Sequence, residues 1–103
     1  MVSITITPTQ HAILTSITNA RTSSRRLIFR SNVIMDYESS KNANATAKVH
    51  HTSREAIYRW VHRWEESAPL LAQWEIEFKE GSLSEPLYKR HIEEVLNDAP
   101  PSG

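Results

Sequence analysis

Residues 50–64 read HHTSREAIYRWVHRW, and the spacing of residue types within this run decides the fold class. Ile57, Trp60, Val61 and Trp64 recur at i, i+3, i+4 and i+7, which makes one apolar stripe along an amphipathic helix. Ser53 stands just ahead of the run, where a hydroxyl can accept a hydrogen bond from a first-turn amide. Thr52-Ser53-Arg54-Glu55 also has the spacing of a reciprocal capping pair. With the stripe turned inward, Arg54, Glu55, Tyr58, Arg59, His62 and Arg63 face outward.

Upstream, Ser39-Ser40-Lys41-Asn42 is a polar break. Asn44 is placed to cap a short helix that runs to about His50 and carries Ala45, Ala47 and Val49. A short helix, a tight turn and a longer capped helix have helix-turn-helix proportions. In that motif the second helix enters the major groove of DNA and its first turns face the base edges. Arg54, Glu55, Tyr58, Arg59 and His62 are therefore the candidate base contacts, arginine being the side chain shaped to grip guanine at two points. Lys48, Thr52, Ser53 and Arg63 are candidate phosphate contacts, with the N-terminal amides of the helix beside them. Arg26 and Arg30, four apart on the preceding helix, extend the phosphate-binding set.

The histidines also invite a zinc reading, which their placement disfavours. His50 and His51 are neighbours and diverge on a helix, and no cysteine or close carboxylate completes a tetrahedron with them or with His62. No metal and no cofactor is expected. Without a cysteine there is no disulfide framework either.

The remaining elements are also helical. Thr7-Pro8 marks a helix start, and Ala12, Ile13, Ile17 and Ala20 carry helical spacing over about 8–21. The preceding VSITIT reads as a loose arm rather than a strand. Ser23 or Ser24 caps a second helix over about 24–39, with Leu27, Ile28, Val33, Ile34, Met35 and Tyr37 as its apolar positions. Past Trp64, Glu65-Glu66-Ser67-Ala68-Pro69 ends or bends the helix. Leu70, Leu71, Trp74 and Phe78 make an amphipathic run that Gly81-Ser82 breaks. Ser84-Glu85-Pro86 opens a last helix with Leu87, Ile92, Val95 and Leu96 on one side. Glu75, Glu77, Glu80, Glu93 and Glu94 fall at polar positions and read as solvated. The three tryptophans read as core.

The formal net charge of zero conceals an asymmetry. Residues 1–64 carry nine Lys and Arg against three acids, whereas residues 65–103 carry three against nine. A basic half suits a polyanion, and it is joined here to an acidic half. No nucleophile, histidine and acid form a local catalytic signature, and the two glycines cannot make a phosphate-binding loop. Neither a membrane-length apolar run nor a signal-peptide pattern is present, which predicts a cytoplasmic protein.

The stretch RRLIFRSNVIMDYESSKNANATAKVHHTSREAIYRWVHRW, residues 25–64, resembles the N-terminal helix-turn-helix region of bacterial insertion-sequence transposases of the mariner-like superfamily. TPTQHAILTSI matches the family's opening helix, and Ala47, Ser53, Arg54, Ile57, Tyr58 and Trp60 stand where its pattern expects them. HIEEVLNDAPPSG is similar to the start of the family's linker. The resemblance covers about residues 5–103 and implies recognition of transposon terminal inverted repeats by a nucleoid-associated protein. It departs in two places. His51 holds the turn position where the family has Gly, with His50 at the apolar position before it, so a longer or differently shaped turn is expected. The chain also has no room for the metal-binding carboxylate triad of such transposases, which implies a DNA-end recognition module that is a fragment, a split frame or a remnant.

The expectation is an all-α, homeodomain-like helix-turn-helix cluster over 1–67, an acidic helical extension over 68–97 and a linker over 98–103. Its partner is double-stranded DNA, with no membrane, no small-molecule substrate and no enzymatic activity of its own. Two other readings stay open. One is a stand-alone transcriptional repressor that forms a homodimer through residues 68–96, and the other is a protein-interaction module that uses the acidic half.

Overall fold

The computed structural model describes residues 2–97, which form six helices and no strand. The tail expected as a linker over 98–103 lies outside the described residues. The helices are α1 (Pro8–Asn19), α2 (Arg25–Ser40), α3 (Ala43–Val49), α4 (Arg54–Glu66), α5 (Ala68–Glu80) and α6 (Glu85–Leu96).

Local chemistry accounts for the starts. Thr7 and Gln10 close a capping box on α1: Thr7 Oγ1 accepts from the Gln10 amide at 3.1 Å, and Gln10 Oε1 accepts from the Thr7 amide at 2.9 Å. Ser24 caps α2 and Ser84 caps α6. At α3 the cap is Asn42 rather than Asn44, its side-chain oxygen accepting from Ala45 N at 2.9 Å. Lys41 ends α2 in the left-handed region at φ 56°, which brings Asn42 into the capping position at once. At α4 the Ser53 hydroxyl accepts from Ala56 N at 3.1 Å. The reciprocal Thr52/Glu55 pair does not form, because Ser53 takes the cap and Glu55 falls in the first turn.

α4 and α5 are separated by Ser67 alone. Pro69, in the first turn of α5, lacks the amide hydrogen that a continuous helix would need at that position. Gly81 ends α5 at φ 85°, a conformation glycine adopts without strain.

α2 packs against α1, α3, α4 and α6, and α4 against α2, α3, α5 and α6. Ile57, Trp60, Val61 and Trp64 are all buried, as the stripe predicts, and Trp64 is 1 % exposed. They share one apolar cluster with Ile13, Leu14 and Ile17 of α1, Val33, Ile34 and Tyr37 of α2, and Tyr88, Ile92 and Leu96 of α6. The stretch over 68–97 therefore contributes to the same core as the helices before it. The arm ahead of α1 is not a strand, yet it is fastened. Tyr37 Oη donates to the Val2 carbonyl, Trp64 Nε1 donates to the Thr5 carbonyl at 3.1 Å, and Val2, Ile4 and Ile6 lean on the core.

Glu75 is not a solvated surface acid; it is buried. Its Oε1 accepts from Tyr88 Oη at 2.6 Å and from Thr7 Oγ1 at 3.1 Å, while Gln10 Nε2 donates to Tyr88 Oη at 3.1 Å. This polar network ties α5 and α6 to the start of α1. Burial alone would raise the Glu75 pKa, but hydrogen bonds from Tyr88, Thr7 and Thr9, with the charge of Lys79, hold it below its ordinary value. Burial first, then the hydrogen-bonded Glu75 carboxylate, raises the Tyr88 phenol, which stays protonated as a donor.

A carboxyl whose folded pKa is lowered stabilises the fold above its unfolded value, about 4.3 for glutamate. That contribution is lost as pH falls through the lowered folded value. Urea unfolding between about pH 7 and pH 3 should therefore show an acid limb beginning near the unfolded glutamate value. Glu75→Gln should flatten this limb, and an equally steep limb in the variant would assign it to other carboxylates.

Candidate nucleic-acid interface

The turn between α3 and α4 sets the angle at which the second helix is presented. The Thr52 amide donates to the Ala47 carbonyl at 3.0 Å and the His51 amide to the Lys48 carbonyl at 3.3 Å. These two bonds close a Schellman motif around a left-handed residue, here His51 at φ 54°. His51 adopts the backbone that glycine would otherwise supply. A non-glycine residue in this region costs about 1–2 kcal/mol, partly offset because glycine gains about 0.5–1 kcal/mol more freedom on unfolding. His51→Gly should stabilise the protein by about 0.5–1 kcal/mol in urea titration, and a loss of stability would contradict this account of the turn.

His50 is not on the outer surface with its neighbour. Its Nε2 lies 2.7 Å from Asp36 Oδ2, and its ring meets Phe29 edge-on at 5.7 Å between centroids. It pins the end of α3 to α2. Among the described residues no three His, Asp or Glu side chains gather into a group that could hold a metal ion.

Along α4, successive side chains turn by about 100°, so the buried stripe leaves an outward-facing arc opposite it. Glu55, Arg59 and His62 lie exposed on that arc, and Arg54 is exposed in the first turn on its flank. Tyr58 is half-buried, with its ring edge-on to Tyr37 at 6.3 Å and tilted against His62 at 5.9 Å. His62 Nδ1 also sits 3.5 Å from Glu65 Oε1. Lys48 is exposed before the turn, Thr52 is half-buried, and Ser53 is exposed with its hydroxyl engaged as the cap. Arg26 is exposed in the first turn of α2, beside exposed Arg21 and Arg25.

Arg30 and Arg63, expected at phosphates, are both engaged within the fold. Arg30 is only 7 % exposed; its Nη1 donates to the Leu96 carbonyl at 2.8 Å, and its guanidinium lies 3.7 Å from the centre of the Trp60 ring. Arg63 is half-buried on the flank of α4, and its Nε donates to the Val95 carbonyl. Both arginines satisfy carbonyls at the C-terminus of α6, the end of a helix where backbone acceptors lack partners and a cation is favoured. Two positive charges of the basic half therefore hold the fold.

Val49, an apolar position of α3, is 67 % exposed beside Lys48. Buried Ala43, Thr46 and Ala47, at i, i+3 and i+4, define the inner face of α3 and leave Ala45, Lys48 and Val49 outside.

Residues 29–91 match the family model of a helix-turn-helix domain. The chain belongs to this helix-turn-helix family. No curated protein and no solved structure matches it. The matched span starts inside α2 and ends inside α6, so the helix-turn-helix domain includes α5 and most of α6 as well as the α3–turn–α4 unit. A helix-turn-helix domain is a DNA-binding fold, and its chemistry is one of contacts rather than bond making. Among the described residues, no helix of this helix-turn-helix protein is long and apolar enough to cross a membrane.

Proposed function

We propose that this chain binds double-stranded DNA with α4 in the major groove and recognises transposon terminal inverted repeats. The observation that supports the groove contact is the unspent arginine pair Arg54 and Arg59. Arg59 is exposed on the arc opposite the buried stripe, Arg54 is exposed in the first turn on the flank of that arc, and neither is held in an ion pair among the described residues. In this reading Arg54, Glu55, Tyr58, Arg59 and His62 address base edges, while Lys48, Thr52, Ser53 and Arg26 take phosphates. The terminal-repeat assignment draws only on the resemblance of residues 25–64 to transposase DNA-binding regions.

Titration of labelled duplexes at several salt concentrations tests the reading. Each phosphate neutralised should lower log affinity by about 0.9 per log unit of salt, so binding should weaken steeply. A flat salt response, or no binding to any duplex, would sink it. Selection from a random library then tests the target: a non-palindromic site supports a terminal repeat. The dimeric-repressor reading draws on Leu70 and Leu87, which are 56 % and 44 % exposed on α5 and α6. A palindromic site bound by a dimer, measured by mass in solution, would favour it.

A further inference from the structure

The centre of the groove-facing arc is an acid. The four buried residues of the α4 stripe point in directions whose mean lies nearly opposite to Glu55, about 100° per residue around the helix. Glu55 is exposed, sits in the first turn of α4, and among the described residues no hydrogen bond or ion pair engages its carboxylate. Arg59, one turn on, forms no ion pair with it. A free carboxylate aimed at DNA is repelled by every phosphate it approaches, whatever the sequence. Its presence at that point needs a compensating donor, and the major groove offers the N4 amino group of cytosine as a partner for a carboxylate.

We propose that Glu55 is a specificity-determining residue that selects cytosine within the bound site. This rests on the DNA-binding reading above and names what that surface reads. The competing role is local: an acid in the first turn complements the positive end of the helix. Ser53 already caps α4, so that role concerns helix stability and carries no base preference.

The two roles separate in one experiment. Wild type, Glu55→Ala and Glu55→Gln are each used to select duplexes from a random library, and affinities are then measured on the selected duplex and its single-base variants. Wild type should select cytosine at one fixed position. Glu55→Ala should lower the preference for cytosine there roughly tenfold and leave the other positions unchanged. Glu55→Gln should move the preference at that position towards adenine, whose N6 and N7 match a carboxamide. If Glu55→Ala binds all duplexes more tightly by one common factor, with base preference intact, Glu55 is only a helix-end charge and the inference is overturned. If wild type itself selects no duplex, the DNA-binding reading falls and takes this one with it.

Discussion

Replacing Arg30 with alanine is expected to destabilise the protein by about 2–4 kcal/mol. The guanidinium donates to the Leu96 carbonyl and lies over Trp60, at 2.8 Å and 3.7 Å respectively. Truncation leaves a buried carbonyl without that donor, which costs about 1–3 kcal/mol. It also removes a desolvated cation–π contact of about 2 kcal/mol and the packing of the stem. The losses share one side chain, so they do not add in full. Arg30→Lys should restore little, since a lysine cannot present a planar fork over the ring and reach the carbonyl together. Urea unfolding measures both variants, and a loss below about 1 kcal/mol would return Arg30 to the ordinary surface class. A second readout addresses its role. For the folded variant the salt slope of DNA binding should stay as in wild type, whereas a phosphate contact would lower the slope by about 1.

The double variant Arg54→Ala/Arg59→Ala should lose DNA affinity on the order of a hundredfold or more, with little change in stability. Each well-made arginine contact to a guanine contributes about 1–3 kcal/mol of discrimination, and both side chains are exposed and unengaged in the folded chain. The single variants say what each arginine does. Loss of a base preference at one position marks a base contact, whereas a uniform loss with a salt slope reduced by about 1 marks a phosphate contact. A double variant that binds duplexes as wild type does would move the interface away from α4. It would favour instead a protein-interaction role for the acidic half.

The opposite fates of Arg59 and Arg30 show what a helical pattern can carry. Both are arginines on amphipathic helices. The wheel of α4 places Arg59 outside, because four large apolar residues on the other side leave no doubt about the inner face. The wheel of α2 is less decisive. Its apolar positions spread over much of the circumference, and Arg30 shares the inward side with Leu27, Val33 and Ile34. Its partner is 66 positions away in sequence, and no local spacing can report a carbonyl at that distance. The burial of Glu75 is hidden from local spacing for the same reason. A glutamate at a polar helical position reads as solvated until Thr7 and Tyr88, 68 and 13 positions away, are seen to cover it.

What the residues settle alone is whatever depends on neighbours within about one helical turn. The capping hydroxyls of Thr7, Ser24, Ser53 and Ser84, the breaks at Gly81 and Pro69, and the inward stripe of α4 are of this kind. Their hydrogen bonds and steric limits are made within four residues. Only the tertiary structure decides which charges remain available for a partner. Arg30 and Arg63 are consumed by the C-terminus of α6, His50 by Asp36, and Glu75 by the α1–α6 network. A charged group taken out of water must find a partner wherever the packing places one, and that place is set by how the six helices meet.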